Sequence, residues 1–352
     1  MGDWSHKLLK WYEANKRDMP WRNTKDPYKI WLSEVILQQT RVNQGWNYYL
    51  RFTEKYPTVT NLAAASEHEV LKLWQGLGYY SRARNMHHAA KEIVKNHKSK
   101  FPADYESVRA LKGVGDYTAA AITSISYNLP YPVVDGNVLR VYSRVLGITN
   151  PIDSTEGKKK IWEAAAELLP QKQPGTYNQA IMELGALCCT PKNPNCEECP
   201  IQSACYAFSH KLTDKLPIKQ GKTKQRERYF NYLVIVQGNK IALRNRTEKD
   251  IWKGLHDFPC IESTSALSPK KLVAAKEWKS IFSGITPAIK NVSDAYVHIL
   301  SHQRLNAQFI LLDSKKPVKK LPKDCFWVEK KTISKYAVPR LIERYLKANS
   351  YL

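Results

Sequence analysis

The chain has 352 residues, of which 43% are hydrophobic and 25% are charged. The chain is longer than a typical domain with a single hydrophobic core, so its length predicts two or more domains. No apolar run reaches the ~18 residues of a membrane span. The N-terminal stretch MGDWSHKLLKWYEANKRD has acidic residues and tryptophans where a signal peptide is apolar. We therefore expect no membrane association and a location in a bacterial cytosol or an equivalent reducing compartment.

The chain is strongly basic. Its 55 lysines and arginines against 32 acidic residues give a formal charge of +23. An excess of this size predicts a polyanionic partner, in practice nucleic acid. A solvated basic surface is the alternative, and charge alone does not separate DNA from RNA.

Two kinds of pattern divide the chain. Up to residue 208, apolar residues return every three or four positions, which predicts a mainly helical region over 1–208. Residues 209–228 are rich in lysine and arginine and predict an exposed linker that can also touch phosphate. Runs of β-branched and aromatic residues then predict an α+β domain over 229–352. The helical segments are Trp4–Ala14, Ile30–Val42, Val70–Leu77, Tyr117–Tyr127, Val138–Gly147, Lys160–Leu169 and Ser334–Leu346, and the strands are Tyr229–Gln237, Lys240–Arg244 and Asn306–Leu312.

Five of the seven cysteines lie between positions 188 and 205. Four of them follow the spacing Cys189-x6-Cys196-x2-Cys199-x5-Cys205, which predicts metal ligation rather than disulfides. Four thiolates suit either Zn²⁺ or a 4Fe-4S cluster, and spacing leaves both open. Cys188 falls outside the spacing, and we interpret it as a buried free thiol.

The segment LKGVGDYTA, residues 111–119, sets two glycines between a short and a long helical pattern. Glycine tolerates a positive φ and lets backbone N–H groups approach an anion, and the following helix adds its positive end. Gly113, Val114 and Gly115 are therefore candidates for binding DNA phosphate. An ordinary helix-to-helix turn is the alternative.

Two carboxylates are candidates for acid–base chemistry. Glu34 shares a helix face with apolar residues, a setting that raises the pKa of a carboxyl and keeps it a proton donor. Asp135 precedes a helix, where the helix dipole holds a carboxylate ionised. The alternatives are a solvated helical Glu34 and an Asp135 that only caps its helix.

These segments, together with WLSEVILQQT at 31–40, GLGYYSRARN at 76–85 and VVDGNV at 133–138, resemble the bacterial adenine DNA glycosylases of the helix-hairpin-helix, endonuclease III superfamily. The resemblance spans nearly the whole chain and is densest up to residue 208. It implies a mainly α glycosylase region with a 4Fe-4S loop at 189–205. It also implies an α+β, Nudix-like C-terminal domain that recognises oxidised guanine.

The resemblance also implies a function. The expected substrate is duplex DNA with adenine opposite 8-oxoguanine or guanine, bound by a monomer near the nucleoid. Glu34 would protonate adenine at N7, Asp135 would stabilise the cationic sugar, and Tyr117 and Asn137 would orient Asp135. Bifunctional relatives carry a lysine where this chain has Tyr117, so we predict a monofunctional enzyme that leaves the DNA backbone intact.

Further residues are implied by position in the family. Gln39 and Tyr79 would enter the duplex, and Gln179 stands where some relatives have a glutamate. Ser301 and His302, in LSHQ at 300–303, would lie near the oxidised base. The pocket for the flipped adenine would be lined by Arg17, Met19, Trp21, Arg22, Leu37 and Val42. The segment GLHDFPCIE at 254–262 resembles the approach to a Nudix box, but the glutamate-rich helix is missing, so we expect no pyrophosphatase activity.

Two other functions remain open at this point. One is a bifunctional enzyme similar to endonuclease III that acts on oxidised pyrimidines, against which Tyr117 argues. The other is a metal-stabilised DNA-binding protein without enzymatic activity, against which Glu34 and Asp135 argue.

Overall fold

The computed structural model describes residues 3–221, 225–282, 287–313, 318 and 321–352. The chain forms two compact units, one of residues 1–64 and 85–221 and the other of residues 65–84 and 222–352. The linker predicted over 209–228 contains residues 222–224, which lie outside the described residues. The sequence also assigned residues 65–84 to the N-terminal region, whereas they group with the second unit.

The described part of the chain before residue 210 is helical, with 3-10 turns at Pro20–Arg22 and Gln202–Ala204. Its helices are α1 (Asp3–Asn15), α2 (Pro27–Leu37), α3 (Val42–Lys55), α4 (Val59–Ala64), α5 (Glu67–Trp74), α6 (Ser81–Asn96), α7 (Tyr105–Ala110), α8 (Asp116–Tyr127), α9 (Gly136–Leu146), α10 (Thr155–Leu168), α11 (Pro174–Leu187) and α12 (Tyr206–Ser209).

Local chemistry explains where helix α2 begins and ends. The Asp26 carboxylate accepts a hydrogen bond from the Tyr28 N–H, and Pro27 occupies the first helical position. The sequence predicted one helix over Ile30–Val42, but α2 ends at Leu37, because the chain turns through Gln39 with a φ of +54° before α3 begins.

The core of the first unit lies between α1, α9, α10 and α11. Leu8, Val141 and Leu184 are fully buried in it. Trp4 contacts the rings of Tyr142 and Tyr177 edge-on, at centroid distances of 6.5 and 6.1 Å. This packing fixes α9 and α11, which carry the predicted site residues Asn137 and Gln179.

The second unit is built on one sheet of the eight described strands. Its central strands run parallel, with Arg226 opposite Gln303 and Val236 opposite Asp313. The strands are β1 (Arg226–Gln237), β2 (Lys240–Asn245), β3 (His256–Asp257), β4 (Cys260–Ser263), β5 (Ala288–Val292), β6 (Tyr296–Ile299), β7 (Gln303–Asp313) and β8 (Cys325–Glu329). The other elements are α13 (Pro269–Ala274), α14 (Lys276–Ile281), a 3-10 turn at Lys330–Lys335 and α15 (Arg340–Ala348).

Helix α5 packs within this second unit. Lys72 Nζ donates to the Tyr336 carbonyl at 3.1 Å, and His68 Nε2 lies 3.1 Å from the Lys335 carbonyl. The Val338 N–H donates to Gln75 Oε1 at 3.3 Å. These long-range contacts explain why residues 65–84 group with the C-terminal chain.

The predicted fold class, a mainly α region followed by an α+β domain, is confirmed. Among the described residues, no helix is both long and apolar enough to cross a membrane.

We expect Phe309→Ala to destabilise the second unit by about 3–5 kcal/mol, the range for truncating a buried aromatic residue. Phe309 is 1% exposed, and its ring stacks on Tyr345 at 3.9 Å and on Tyr232 at 5.2 Å. Chemical denaturation of the full chain measures the change. The matched control is Ile299→Ala, because Ile299 is 60% exposed and should change stability by less than about 0.5 kcal/mol. Equal effects of the two variants would contradict this account of the core.

Candidate active site

A cavity of about 230 Å³ opens between α2, α8, α9 and α11 in the first unit. All six residues predicted to line the base pocket line it, as do five further predicted residues. The former are Arg17, Met19, Trp21, Arg22, Leu37 and Val42, and the latter are Glu34, Tyr117, Asp135, Asn137 and Gln179. Residues from positions 17 to 186 therefore converge on one cavity.

Glu34 projects from α2 into this cavity. Burial raises the pKa of Glu34 to about 7, and the negative charge of Asp135 acts in the same direction. A hydrogen bond from Tyr117 opposes this rise. A carboxyl with this pKa is about half protonated at neutral pH, whereas an ordinary glutamate is almost fully ionised there, so Glu34 is suited to donate a proton.

Asp135 caps helix α9, as the sequence predicted. Its Oδ1 accepts hydrogen bonds from the N–H groups of Asn137 and Val138, both at 2.8 Å, and its Oδ2 accepts one from Asn137 Nδ2 at 2.8 Å. Burial raises the pKa of Asp135, whereas these three donors and Arg140 favour the carboxylate. Because an ionised carboxylate only accepts hydrogen bonds, three donors suit the charged form.

Tyr117 lies near both carboxyls, and after burial the charges of Glu34 and Asp135 raise its pKa further. Its hydroxyl donates to the Met182 sulfur at 3.7 Å, and its interaction with Glu34 lowers the pKa of that carboxyl. Asn137, in contrast, binds Asp135 through both its backbone and its side chain. In this arrangement Asn137 orients Asp135, and Tyr117 modulates the acidity of Glu34.

Glu183 is a site residue that the sequence interpretation missed. Its side chain is 1% exposed, and its two oxygens accept hydrogen bonds from both Arg17 and Arg22 at 2.7–2.9 Å. Burial raises the pKa of Glu183, but the hydrogen bonds from the two arginines outweigh it and lower the pKa to about 2. The available signal was its spacing four residues after Gln179, which places both side chains on one helix face.

Aromatic rings pack against the residue that forms the apolar side of the cavity. Trp21 is 8% exposed and meets Trp46 and Tyr49 edge-on, at centroid distances of 5.7 and 5.3 Å. On the polar side, the Tyr12 hydroxyl donates to Gln179 Oε1 at 2.7 Å. The cavity therefore combines an apolar wall with fixed polar groups, as pockets for planar bases do.

Two residues predicted to enter the duplex stand outside this cavity. Gln39 and Tyr79 are both exposed, and both have a positive φ, +54° and +46°. Such a conformation is unfavourable for residues other than glycine, and it marks candidate functional positions when observed.

The hairpin segment lies between α7 and α8. Gly113 has a φ of +81°, and a Cβ there would lie 2.6 Å from the Asn85 Cβ, so only glycine fits. Gly115 has an ordinary negative φ and caps α8. The Val114 N–H is bonded to the Leu111 carbonyl, whereas the N–H groups of Gly113 and Gly115 have no hydrogen-bond partner among the described residues.

In the second unit, Ser301 and His302 form the exposed tip of the β6–β7 hairpin. The tip is held by the Leu300 N–H, which donates to the Gln303 carbonyl at 2.8 Å, and by the Arg226 N–H, which donates to the His302 carbonyl at 3.0 Å. The hydroxyls of Ser301 and Tyr79 form a short hydrogen bond.

The cysteine loop forms a separate centre in the first unit. The side chains of Cys189, Cys196, Cys199 and Cys205 line one small cavity. Arg144, 2% exposed, donates from one terminal nitrogen to the Cys189 sulfur at 3.3 Å and to the Thr190 carbonyl at 2.8 Å. Four thiols beside a buried cation suit thiolate ligation, because the cation offsets negative charge.

Comparison with known proteins gives the family. Residues 32–171 match the helix-hairpin-helix superfamily of base excision DNA repair proteins, and residues 231–348 match a NUDIX domain. The adenine DNA glycosylase of Buchnera aphidicola subsp. Schizaphis graminum is 33% identical over 350 residues, which cover 97% of each chain. The chain belongs to the adenine DNA glycosylase family. The human adenine DNA glycosylase is 32% identical over 401 residues, which cover 97% of this chain and 72% of the human protein.

Other comparisons agree with this family of enzymes that hydrolyse N-glycosyl bonds. A thermostable thymine-DNA glycosylase superposes with a TM-score of 0.55 at 27% identity and covers 58% of this chain and 95% of that one. A non-covalent endonuclease III–DNA complex, at 20% identity and a TM-score of 0.51, shows the same fold. Residues 189–205 match the iron–sulfur binding domain of endonuclease III. This match decides the open question of the metal centre in favour of a 4Fe-4S cluster.

We expect Glu183→Gln to lower the free energy of unfolding by about 3 kcal/mol, at the lower end for a broken buried ion pair because Arg17 is partly exposed. The wild-type contribution should be complete above the ordinary pKa of a glutamate and should be lost as the pH falls towards about 2. Denaturation measured at several pH values tests this. Exposed Glu13 provides the control, and a Glu183→Gln variant as stable as Glu13→Gln would contradict the assignment.

Proposed function

We propose that this chain removes adenine from duplex DNA in which adenine is paired with 8-oxoguanine or guanine. The observation that carries the proposal is one cavity lined by both Glu34 and Asp135, together with the apolar ring of Trp21 and the charged Arg22. The family relationship supports the same reaction class.

In the proposed reaction, the Glu34 carboxyl gives its proton to N7 of the flipped adenine. The bond between C1′ and N9 then breaks, and adenine leaves with the bonding electron pair. The Asp135 carboxylate stabilises the positive charge left on the sugar. Water adds to C1′, its proton returns to Glu34, and an abasic site remains.

The different surroundings of the two carboxyls support these roles. Glu34 has one side-chain donor among the described residues, Tyr117, and a pKa of about 7. Asp135 has three donors that stabilise its charge. Pairs of titratable groups held in different protonation states are typical of acid–base catalysis.

We propose the remaining roles by position. Gly113, Val114 and Gly115 would bind DNA phosphate, and Gln39 and Tyr79 would fill the stack that the adenine leaves. Ser301 and His302 would contact the oxidised guanine. The four thiolates of Cys189, Cys196, Cys199 and Cys205 would hold the 4Fe-4S cluster, which supplies a rigid, charged centre for the surrounding loop.

The direct test incubates the purified full chain with duplexes that carry adenine opposite 8-oxoguanine, guanine, cytosine or thymine, followed by alkaline cleavage of abasic sites. We expect cleavage at adenine opposite 8-oxoguanine and guanine. Cleavage of none of the duplexes would overturn the proposal. Borohydride should trap no covalent complex, because the pocket presents Tyr117 where a bifunctional enzyme needs an amine. A trapped complex would favour the bifunctional alternative.

Glu34→Gln should lower the single-turnover rate by about 10²–10⁴, the contribution of a positioned general acid. Glutamine lacks the acidic carboxyl proton that the reaction needs. It keeps the size of the side chain, so binding to duplex with an abasic-site analogue should stay unchanged. Exposed Glu54 offers the control, and Glu54→Gln should cleave at the wild-type rate. Near wild-type cleavage by Glu34→Gln would show that Glu34 is not the acid.

The rate should also depend on pH in a bell-shaped manner. Because Glu34 acts in its protonated form, activity should fall as the pH rises above about 7. Because Asp135 acts as the carboxylate and its pKa is raised, activity should also fall on the acidic side.

Tyr117→Phe identifies which group sets the alkaline limb of this profile. The Tyr117 hydrogen bond lowers the pKa of Glu34, so its removal should move that limb to higher pH. Single-turnover rates across the pH range measure the shift. A limb that stays in place in Tyr117→Phe would assign it to another group.

A further inference from the structure

The Arg228 guanidinium, on strand β1, donates all five of its N–H groups to side chains of the second unit. Its Nε and one terminal nitrogen donate to the two Glu262 oxygens, both at 2.6 Å. Its two terminal nitrogens donate to the two Asp250 oxygens at 2.8 and 2.9 Å. The remaining N–H donates to Gln303 Oε1 at 3.2 Å. Two bidentate carboxylate pairs fix the plane of the guanidinium, so the direction of its bond to Gln303 is fixed as well.

The pairing of Arg228 continues into the buried part of the second unit. Asp250 Oδ2 also accepts a hydrogen bond from Arg246 at 2.8 Å, and Arg246 donates to Asp257 Oδ2 at the same distance. Asp257 is fully buried, and the Arg228 side chain is 9% exposed. Because a buried charge that loses its partner is costly, this row of alternating charges holds Arg228 in place.

The Gln303 side chain connects Arg228 to the tip of the β6–β7 hairpin, residues 300–303. Gln303 is the first residue of β7 and directly follows Ser301 and His302. Its carbonyl accepts the hydrogen bond from the Leu300 N–H that closes the tip. Within the described residues, the hydrogen bond of its half-buried side chain goes to Arg228. Gln303 therefore fixes one end of the tip to an immobile group.

We propose that Arg228 is a positioning residue for recognition of the opposite base, and that it acts on Ser301 and His302 through Gln303. 8-Oxoguanine differs from guanine only in its C8 carbonyl oxygen and its N7 hydrogen, so discrimination requires polar groups at defined places. Groups that detect so small a difference must be held within about 0.5 Å. This inference rests on the proposed function, which assigns Ser301 and His302 to the oxidised guanine.

The test measures second-order rate constants for adenine removal opposite 8-oxoguanine and opposite guanine, under single-turnover conditions with the purified full chain. Gln303→Leu keeps the size of the side chain and removes the acceptor for Arg228. It should lower the ratio of the two constants about threefold to tenfold, the usual effect of one hydrogen bond. The loss should fall on the duplex with 8-oxoguanine, and the constant for guanine should stay at the wild-type value.

Two further variants separate positioning from a general effect on stability. Gln237→Leu makes the same substitution at the exposed far end of β1 and should keep the wild-type ratio. Arg228→Lys keeps the charge without the planar fork and should lower the ratio. Arg228→Lys/Gln303→Leu should lower it no further, because both changes break one link. Partial unfolding lowers both constants equally and leaves their ratio unchanged. Where Arg228→Lys does not give soluble protein, Gln303→Leu and Gln237→Leu complete the test.

The outcomes separate the inference from the function on which it rests. A wild-type chain that removes adenine from neither duplex would contradict the proposed function and, with it, the inference. Where the wild type is active on both duplexes, an unchanged ratio in Gln303→Leu would overturn the inference alone. Equal losses on the two duplexes would also overturn it, since Gln303 would then support folding or DNA binding in general.

Discussion

The buried guanidinium of Arg140 constrains the arrangement of the first unit. Arg140 is 8% exposed, and its nitrogens donate to Asn137 Oδ1 at 3.0 Å, to the Gly185 carbonyl at 2.6 Å and to the Cys189 carbonyl at 2.8 Å. A buried cation with unpaired donors is costly, so the segments that supply these acceptors must hold their positions. Arg140 thereby ties the turn that carries Asp135 to the end of α11 and to the start of the cysteine loop.

A chain of hydrogen bonds connects the cysteine loop to Asp135, one of the two carboxyls proposed to act in the reaction. Asn137 binds Asp135 on one side and Arg140 on the other, and Arg140 binds the backbone of Cys189. Arg144, one helical turn further along α9, donates to the Cys189 sulfur. The helix that begins at Asp135 therefore presents two arginines to the iron–sulfur loop, and a shift of that loop would disturb the acceptors of both.

The sequence predicted those features that depend on neighbouring residues. Asp135 as a helix cap follows from its own helix, and the strands around Tyr232 and Phe309 follow from their composition. The pocket residues came from family resemblance. Neither local patterns nor family resemblance identified Glu183, because its role depends on Arg17 and Arg22, more than 160 positions away. The end of α2 was missed for a local reason: Gln39 takes a left-handed conformation that helical periodicity does not reveal.

Residues 65–84 group with the second unit, so Tyr79 and Ser301 belong to the same unit. Tyr79, proposed to enter the duplex, shares a hydrogen bond with Ser301, proposed to contact the oxidised guanine. Both belong to the unit of residues 65–84 and 222–352, whereas the cavity of Glu34 and Asp135 belongs to the other unit. A chain cut in the segment 209–228 would therefore keep the cavity that Glu34 and Asp135 line, and Tyr79. It would remove Ser301 and the carbonyls of Lys335 and Tyr336 that hold α5. In the proposed function, inspection of the opposite base would therefore depend on residues 65–84 as well as on the C-terminal domain.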